Sequence, residues 1–320
     1  MGKIFSFRYA LLLSVLLFSA LYIDYINLEY DTPNDVIASV KDPSMVITPS
    51  LIHKDKTLNA LGKSISLGDS AESILDKLGS PNRIARTEMD FDYYIYNNNY
   101  SRLLFVAIKD TKVAGYYTDS VDFDYLGITS GCSLDEVNAL LKTDFAMDYV
   151  LTHTTDRYTL YILMDELGTG AVTGLSLLTA DVKVNGYTTE IMRDLELLVY
   201  DLTNSIRERN GLTILSWSST AAKAALKHSI DMAENKYFSH YNLYNKDPGD
   251  RLKEEGIDYK SIGENIIAGY ENVIISSHAW YNSKEHRVNI LNKSYSSLGV
   301  GFTYLEDSIY KNYITQDFYR

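Results

Sequence analysis

Three residues in the last third of this 320-residue chain combine chemical capacity with unusual surroundings: His240, Glu264 and His286. Glu264 and Asn265 stand between Ile262 and the pair Ile266 and Ile267, in the stretch "SIGENIIAGY" at residues 261–270. A carboxylate amid isoleucines either faces water or is held inside by partners, because burying it unpaired costs several kcal/mol or forces it to take up a proton. His240 closes "NKYFSH" just past a predicted helix, where connecting segments place reactive groups. His286 lies in "NSKEHRVNIL", between a predicted helix and an apolar stretch. Separations of this length fix no geometry. By residue type, two imidazoles and a carboxylate suit a shell for Zn²⁺ or another divalent cation. They suit acid–base chemistry equally well. A structural role is the alternative, in which Glu264 and Asn265 hydrogen-bond loop backbone and hold the local shape.

The other histidines read differently. His228 shares a helical face with Ala221, Ala225 and Met232, and His278 comes one turn after Ile274 and just before Trp280. Both patterns predict helix packing rather than ligation. His53 lies in the expected stalk and His153 in a polar loop, and both read as surface residues. Cys132 is the sole cysteine, which rules out an intrachain disulfide and reads as a small apolar side chain. No Ser-His-Asp or Cys-His arrangement is legible.

The elements that must position these residues form an α+β pattern. Ile191, Leu195, Leu198, Val199, Leu202 and Ile206 line one face of a helix, with Thr188 or Thr189 as cap and Gly211 at its stop. An alanine-rich helix follows at roughly 218–236, and a third runs through "DPGDRLKEEG", with Asp247 and Pro248 as start signals. A fourth covers about 271–283. The end, "SLGVGFTYL" and "SIYKNYITQDF", is strand-like. Helices flanking a small antiparallel sheet are expected.

Upstream, residues 61–181 read as a tandem duplication. Each unit has a glycine, a polar turn and a serine-capped short helix, from Ser70 and from Ser133, followed by strand-like sequence. "KDTK" and "DELGTG" mark hairpin turns. This predicts two helix-plus-meander units separate from the C-terminal core. Residues 30–60 hold three of the five prolines and read as a stalk. Lys3 and Arg8 precede an uncharged apolar run at residues 9–23. Residues 1–29 therefore read as a signal anchor or signal peptide, with the anchor favoured and the rest of the chain exported.

Composition sets outer limits. Apolar residues make up 46% of the chain, enough for a substantial core. The net charge of −12 argues against nucleic-acid binding and against docking on anionic lipid through a basic patch. Residues 190–320 carry 15 Lys and Arg against 18 Asp and Glu, a net of −3, so most of the acidity lies upstream.

Five separated pieces of the C-terminal part, "LLVYDLTNSIRERNGL", "LSWSSTAAKAALKHSIDMAENKYFSH", "DRLKEEGIDYKSIGENI", "AWYNSKEHRVNILNKSYSSLGVGF" and "YITQDF", follow in the order found in the CAP superfamily. Residues 190–320 thus resemble the cysteine-rich secretory, antigen 5 and pathogenesis-related 1 proteins. The resemblance implies an α-β-α sandwich with a central groove lined by His240, Glu264 and His286. Some members hold a divalent metal there, and others bind lipids or sterols. Ser283 stands where plant and animal members place a second acid, and Glu285 is the nearest substitute. Residues 61–181 resemble the domain that precedes CAP in membrane-attached bacterial proteins of Bacillus and Clostridium type.

Two functions follow as expectations. One is an exported, cell-surface module, attached to the membrane through its N-terminal segment, whose groove binds a peptide, a lipid or a cell-envelope component. Its metal, if any, would be Zn²⁺ or another divalent cation held by His240, His286 and Glu264. The other is a metal-assisted hydrolase acting on peptide or envelope polymer.

Overall fold

A computed structural model describes residues 56–320. The apolar run at 9–23, nearly all of the expected stalk, and His53 lie outside the described residues. The stalk reading extends too far at its end. Thr57–Ala60 forms strand β1 and pairs with β2, Lys63–Ser66, because Leu58 and Ala60 alternate into the core. Leu61 and Gly62 make the turn with φ of 55° and 71°, the left-handed pair that a two-residue hairpin requires. The hairpin of β7, Asp124–Tyr125, and β8, Ile128–Thr129, turns through Leu126 and Gly127 in the same way.

A short helix follows each hairpin, and each has its predicted serine cap. Ser70 accepts from the Ser73 amide at the start of α1, Ala71–Leu78. Ser133 and Glu136 form a reciprocal capping box on α2, Leu134–Leu141. The strands after the helices are β3, Arg83–Arg86; β4, Asp92–Tyr96; β5, Leu104–Lys109; β6, Lys112–Thr118; then β9, Val150–Thr154; β10, Tyr158–Met164; and β11, Val172–Thr179. They do not stay in two meanders. β6 pairs with β11, giving one seven-stranded sheet in the order β3-β4-β5-β6-β11-β10-β9. His153 lies on edge strand β9 rather than in a loop.

The C-terminal part contains α3, Thr189–Arg209; β12, Ser216–Trp217; α4, Ser219–Glu234; α5, Pro248–Glu254; β13, Ile262–Ala268; α6, Val273–Tyr281; α7, Lys284–Ile290; β14, Ser297–Tyr304; and β15, Asn312–Tyr319. Its sheet runs β12-β14-β15-β13, with α4 and α5 on one face and α3 and α6 on the other. "SIGENIIAGY" is therefore an edge strand. Its outward carbonyls are covered: Tyr295 donates to Ile262 O at 2.9 Å, Asn289 to Glu264 O at 3.0 Å and Trp280 to Ile266 O at 3.2 Å. An edge closed in this way offers no template for a further strand.

The two parts are not separate bodies. One apolar cluster runs from Phe91, Tyr93 and Phe105 of the first sheet through Leu195, Leu198 and Leu202 of α3 to Val300 and Phe318. Carboxylates on α3 meet arginines from the first sheet, Asp201 with Arg83 and Asp194 with Arg86.

Glu88 is buried at this junction among Tyr93, Tyr161, Leu195 and Ile274. Loss of hydration, reinforced by the charge of Glu271, pushes its carboxyl up to about 7. An acid with a raised folded value keeps its proton in the native state where the unfolded chain has lost it. Stability therefore falls as pH rises from the ordinary glutamate range to about 7, by roughly 3 kcal/mol for this group. Urea unfolding at pH 5 and pH 8 checks this. Glu88→Gln should remove part of the wild-type decline, because burial also raises Glu196 to about 7, and an unchanged pH slope in the variant would count against it.

Candidate functional site

The site begins with the alternation of β13. Successive side chains of a strand point to opposite faces, so Glu264 and Asn265 serve two different neighbourhoods. Glu264 faces the side of α4 and α5 and is buried. His240 donates through Nδ1 to Glu264 Oε1 at 2.6 Å, and Arg251 forms an ion pair with Oε2. The carboxylate amid isoleucines is thus held inside, by an arginine and a histidine.

Arg251 was not legible as a site residue. It sits on α5, where Asp247 and Asp250 form a capping box with Pro248 in the first turn, so the helix start is strongly fixed. From there its guanidinium also donates to the carbonyls of His240 at 2.8 Å and Lys246 at 3.0 Å. One side chain thereby fixes the carboxylate and both ends of the loop that carries His240. The five-donor fork of arginine suits this task, whereas a lysine ammonium would not reach all three.

The His240 side chain is 47% exposed. Because a carboxylate only accepts, Nδ1 carries the proton of this contact, and Nε2 is the ring nitrogen left free of Glu264. The same loop exposes Phe238, Tyr241, Leu243 and Tyr244, the last to 82%.

Asp317 is the second residue missed. It lies directly opposite Glu264 in the β13–β15 register and is fully buried, and neither of its oxygens meets a donor. Burial, with the Glu264 charge adding, holds its carboxyl well above the usual range against the opposing pull of Arg251. Kept protonated, it has a donor of its own and Glu264 beside it as acceptor.

Asn265 faces the other way. Its amide donates to Gln316 Oε1 at 3.0 Å and to the His286 carbonyl at 3.2 Å, and it accepts from Asn289 at 2.9 Å. His286 and Asn289 belong to α7, a helix not assigned from the sequence, which placed His286 only between a helix and an apolar stretch. With seven residues and mostly polar ones, it offers little periodicity to detect. His286 does not bond Glu264. Its Nδ1 lies 2.7 Å from Ser283 Oγ, and Glu285 is an exposed neighbour whose carboxylate is 3.4 Å from the same hydroxyl. Burial lowers the pKa of His286, the nearby charge of His240 lowers it further, and Glu285 pulls the other way. The imidazoles thus sense each other without sharing a partner.

His228 and His278 are packing residues. Nε2 of His228 donates to the Ser239 carbonyl at 2.9 Å, and burial lowers its pKa to about 4. His278 sits 3.1 Å from the Tyr117 hydroxyl and is lowered to about 3 for the same reason.

As a metal shell the set fits poorly. Among the described residues, no three His, Cys, Asp or Glu side chains are arranged to hold a metal ion. Glu264 spends one oxygen on His240 and the other on Arg251, and a fixed cation at that distance opposes a dication.

The comparisons with known proteins agree with this architecture. Residues 200–318 match the family model described as the cysteine-rich secretory protein family, CAP, and residues 67–166 match the CAP-associated N-terminal model. The C-terminal part is a CAP domain. A CAP-associated domain precedes it. The chain is 27% identical over 290 residues to the membrane protein YlbC of Bacillus subtilis strain 168, covering 79% of this chain and 82% of that one. It is 40% identical over 107 residues to YkwD of the same organism, 33% of this chain and 42% of that protein. An extracellular protein containing an SCP domain from Bacillus anthracis superposes with a TM-score of 0.66 at 21% identity, over 89% of this chain and all of that one. A cysteine-rich secretory protein from Staphylococcus aureus superposes at 0.59 and 16% identity, over 79% of this chain and 93% of that one. These likenesses establish the α+β CAP fold. Within it, His240, Glu264 and Arg251 form one bonded cluster, while Asn265, His286 and Ser283 form an adjoining one.

Proposed function

We propose that this is an exported, membrane-anchored binding protein whose CAP groove takes a peptide, lipid or cell-envelope ligand at the face presented by His240. What supports the reading most is the state of His240. Its ring is half-exposed, oriented by a buried Glu264–Arg251 pair, and set in a loop of exposed Phe238, Tyr241, Leu243 and Tyr244. A buried ion pair of this kind fixes the ring's direction even where it adds little net stability. The oriented Nε2 is placed to hydrogen-bond a polar group of a ligand, and the aromatic side chains supply contact area at low entropic cost. The apolar run behind Lys3 and Arg8, the membrane protein YlbC and the extracellular SCP protein support the location.

One experiment on intact cells addresses both parts. Added protease should release the CAP-associated and CAP domains together, and full protection would refute export. The released two-domain fragment should be retained by isolated cell envelopes. His240→Ala should weaken that retention about tenfold, as expected for one lost hydrogen bond and its packing. Equal retention of the two proteins would remove His240 from the binding face.

A hydrolase is the second reading, favoured by the 2.7 Å contact between Ser283 Oγ and His286 Nδ1, a hydroxyl beside an imidazole held neutral. Covalent labelling by a fluorophosphonate that disappears in Ser283→Ala would establish it.

A further inference from the structure

We propose that the CAP-associated domain positions His286, through a clamp that its Asp165 loop closes on the α6–α7 corner of the CAP domain. This rests on the reading of the His240–His286 face as the binding groove.

Residues 282–287 divide their side chains between two tasks. Asn282 and Arg287 reach the first domain, and Ser283 and His286 pair with each other at the groove. The Asn282 amide donates to the Met164 carbonyl at 2.9 Å, and its oxygen accepts from the Glu166 amide at 2.8 Å. Arg287, the residue after His286, donates to both oxygens of Asp165, at 2.5 and 3.3 Å. Its guanidinium lies 3.9 Å from the centre of the Tyr281 ring and donates to that hydroxyl at 2.9 Å. The corner between α6 and α7 is therefore gripped at both of its ends by residues 164–166.

The grip is itself prepared. Asp165 is buried and accepts from the Thr169 amide at 3.1 Å, while its carbonyl accepts from the Gly170 amide at 2.8 Å. A Cβ at Gly168 would stand 2.4 Å from Asp165 Oδ2, so the loop closes this tightly only around glycine. Arg287 holds the Asp165 carboxyl below the usual range despite its burial, so the pair stays charged. Bidentate arginine–carboxylate geometry fixes orientation as well as distance. Because α7 has only two turns, fixing Arg287 fixes the direction in which His286 points.

His286 is thus oriented from both sides, by Ser283 and Asn265 within the CAP domain and by Asp165 from outside it. Asp165 acts as a positioning residue that touches no ligand. The first domain is then a brace for one half of the groove rather than a spacer.

The test uses the full chain labelled with ¹⁵N-histidine, and reads the imidazole resonances of all four histidines of the CAP domain. Asp165→Asn keeps the loop's shape but loosens the fork, and it should shift the His286 ring signals while His228 and His240 stay in place. Arg287→Lys, which keeps the charge but loses the second contact, should shift the same signals in the same direction. Unchanged His286 signals in both variants, or a common drift of all four histidines reporting general loosening, would overturn the proposal. No groove ligand enters the readout, so failure of the binding reading leaves this result separate.

Discussion

Arg251→Met is expected to cost about 3–5 kcal/mol of folding stability, the usual penalty for removing one partner of a buried ion pair. Both side chains are almost fully enclosed, at 7% and 2% exposure, so water cannot replace the lost guanidinium. Methionine keeps much of the stem volume and so isolates the charge effect. Three acceptors are stranded at once: Glu264 Oε2 and the carbonyls of His240 and Lys246. Asp317 sharpens the effect, because Glu264 without Arg251 faces another acid across the ladder with no fixed cation between them. Urea denaturation of the wild type, Arg251→Met, Glu264→Gln and the double variant measures this as a cycle. The double variant should be markedly more stable than the sum of the two single losses implies. A loss under about 1 kcal/mol in Arg251→Met, or simple additivity, would show that the pair is not a unit.

That cluster also shows what the sequence could disclose and what it could not. The problem was visible in Glu264 among isoleucines, and His240 was a sound candidate partner because a histidine after a helix in a loop invites a role. Arg251 looked like one more charge on an amphipathic helix, since nothing local distinguishes an inward arginine from an outward one. Only the crossing of α5 over β13 decides that. Asp317 was hidden differently. In "YITQDF" the alternation puts Asp317 on the same side as Thr315 and Tyr313, but which side faces α4 depends on the neighbouring strand. Helix α3 was readable because its cap and a 3.6-residue period agree with each other, Thr188 with the stripe from Ile191 to Ile206. The single seven-stranded sheet was not readable, because pairing between β6 and β11 is a long-range choice that no turn dictates. The union of the two domains was equally out of reach, because nothing in the α3 sequence shows that Arg86 and Arg83 stand opposite Asp194 and Asp201.

Gly301→Ala should be as damaging as the loss of Arg251, although it adds only a methyl group. Strand β14 lies under helix α4 with no side chain between them at two positions. A Cβ on Gly301 would stand 2.0 Å from Leu226 N and 2.3 Å from Ala225 C, and one on Gly299 would stand 2.1 Å from Ala222 N and 2.2 Å from Ala221 C. The obstructing atoms are helix backbone, so no rotamer change relieves the clash and α4 must lift as a body. The sequence is matched to this approach: Ala221, Ala222, Ala225 and Ser229 line the facing side, and Ser229 donates to the Gly301 carbonyl at 3.0 Å. Overpacking against yielding side chains typically costs 1–3 kcal/mol, so a rigid obstacle should take Gly301→Ala to at least about 3 kcal/mol. Lifting α4 would relieve both sites together. The Gly299→Ala, Gly301→Ala double variant should therefore cost much less than the sum of the singles when unfolding is followed in urea. The displacement should also reach the groove, because His228 on α4 holds the Ser239 carbonyl and Ser239 precedes His240. A cost below about 1 kcal/mol would mean that α4 floats on the sheet, and the CAP core would then owe its spacing to something other than these two glycines.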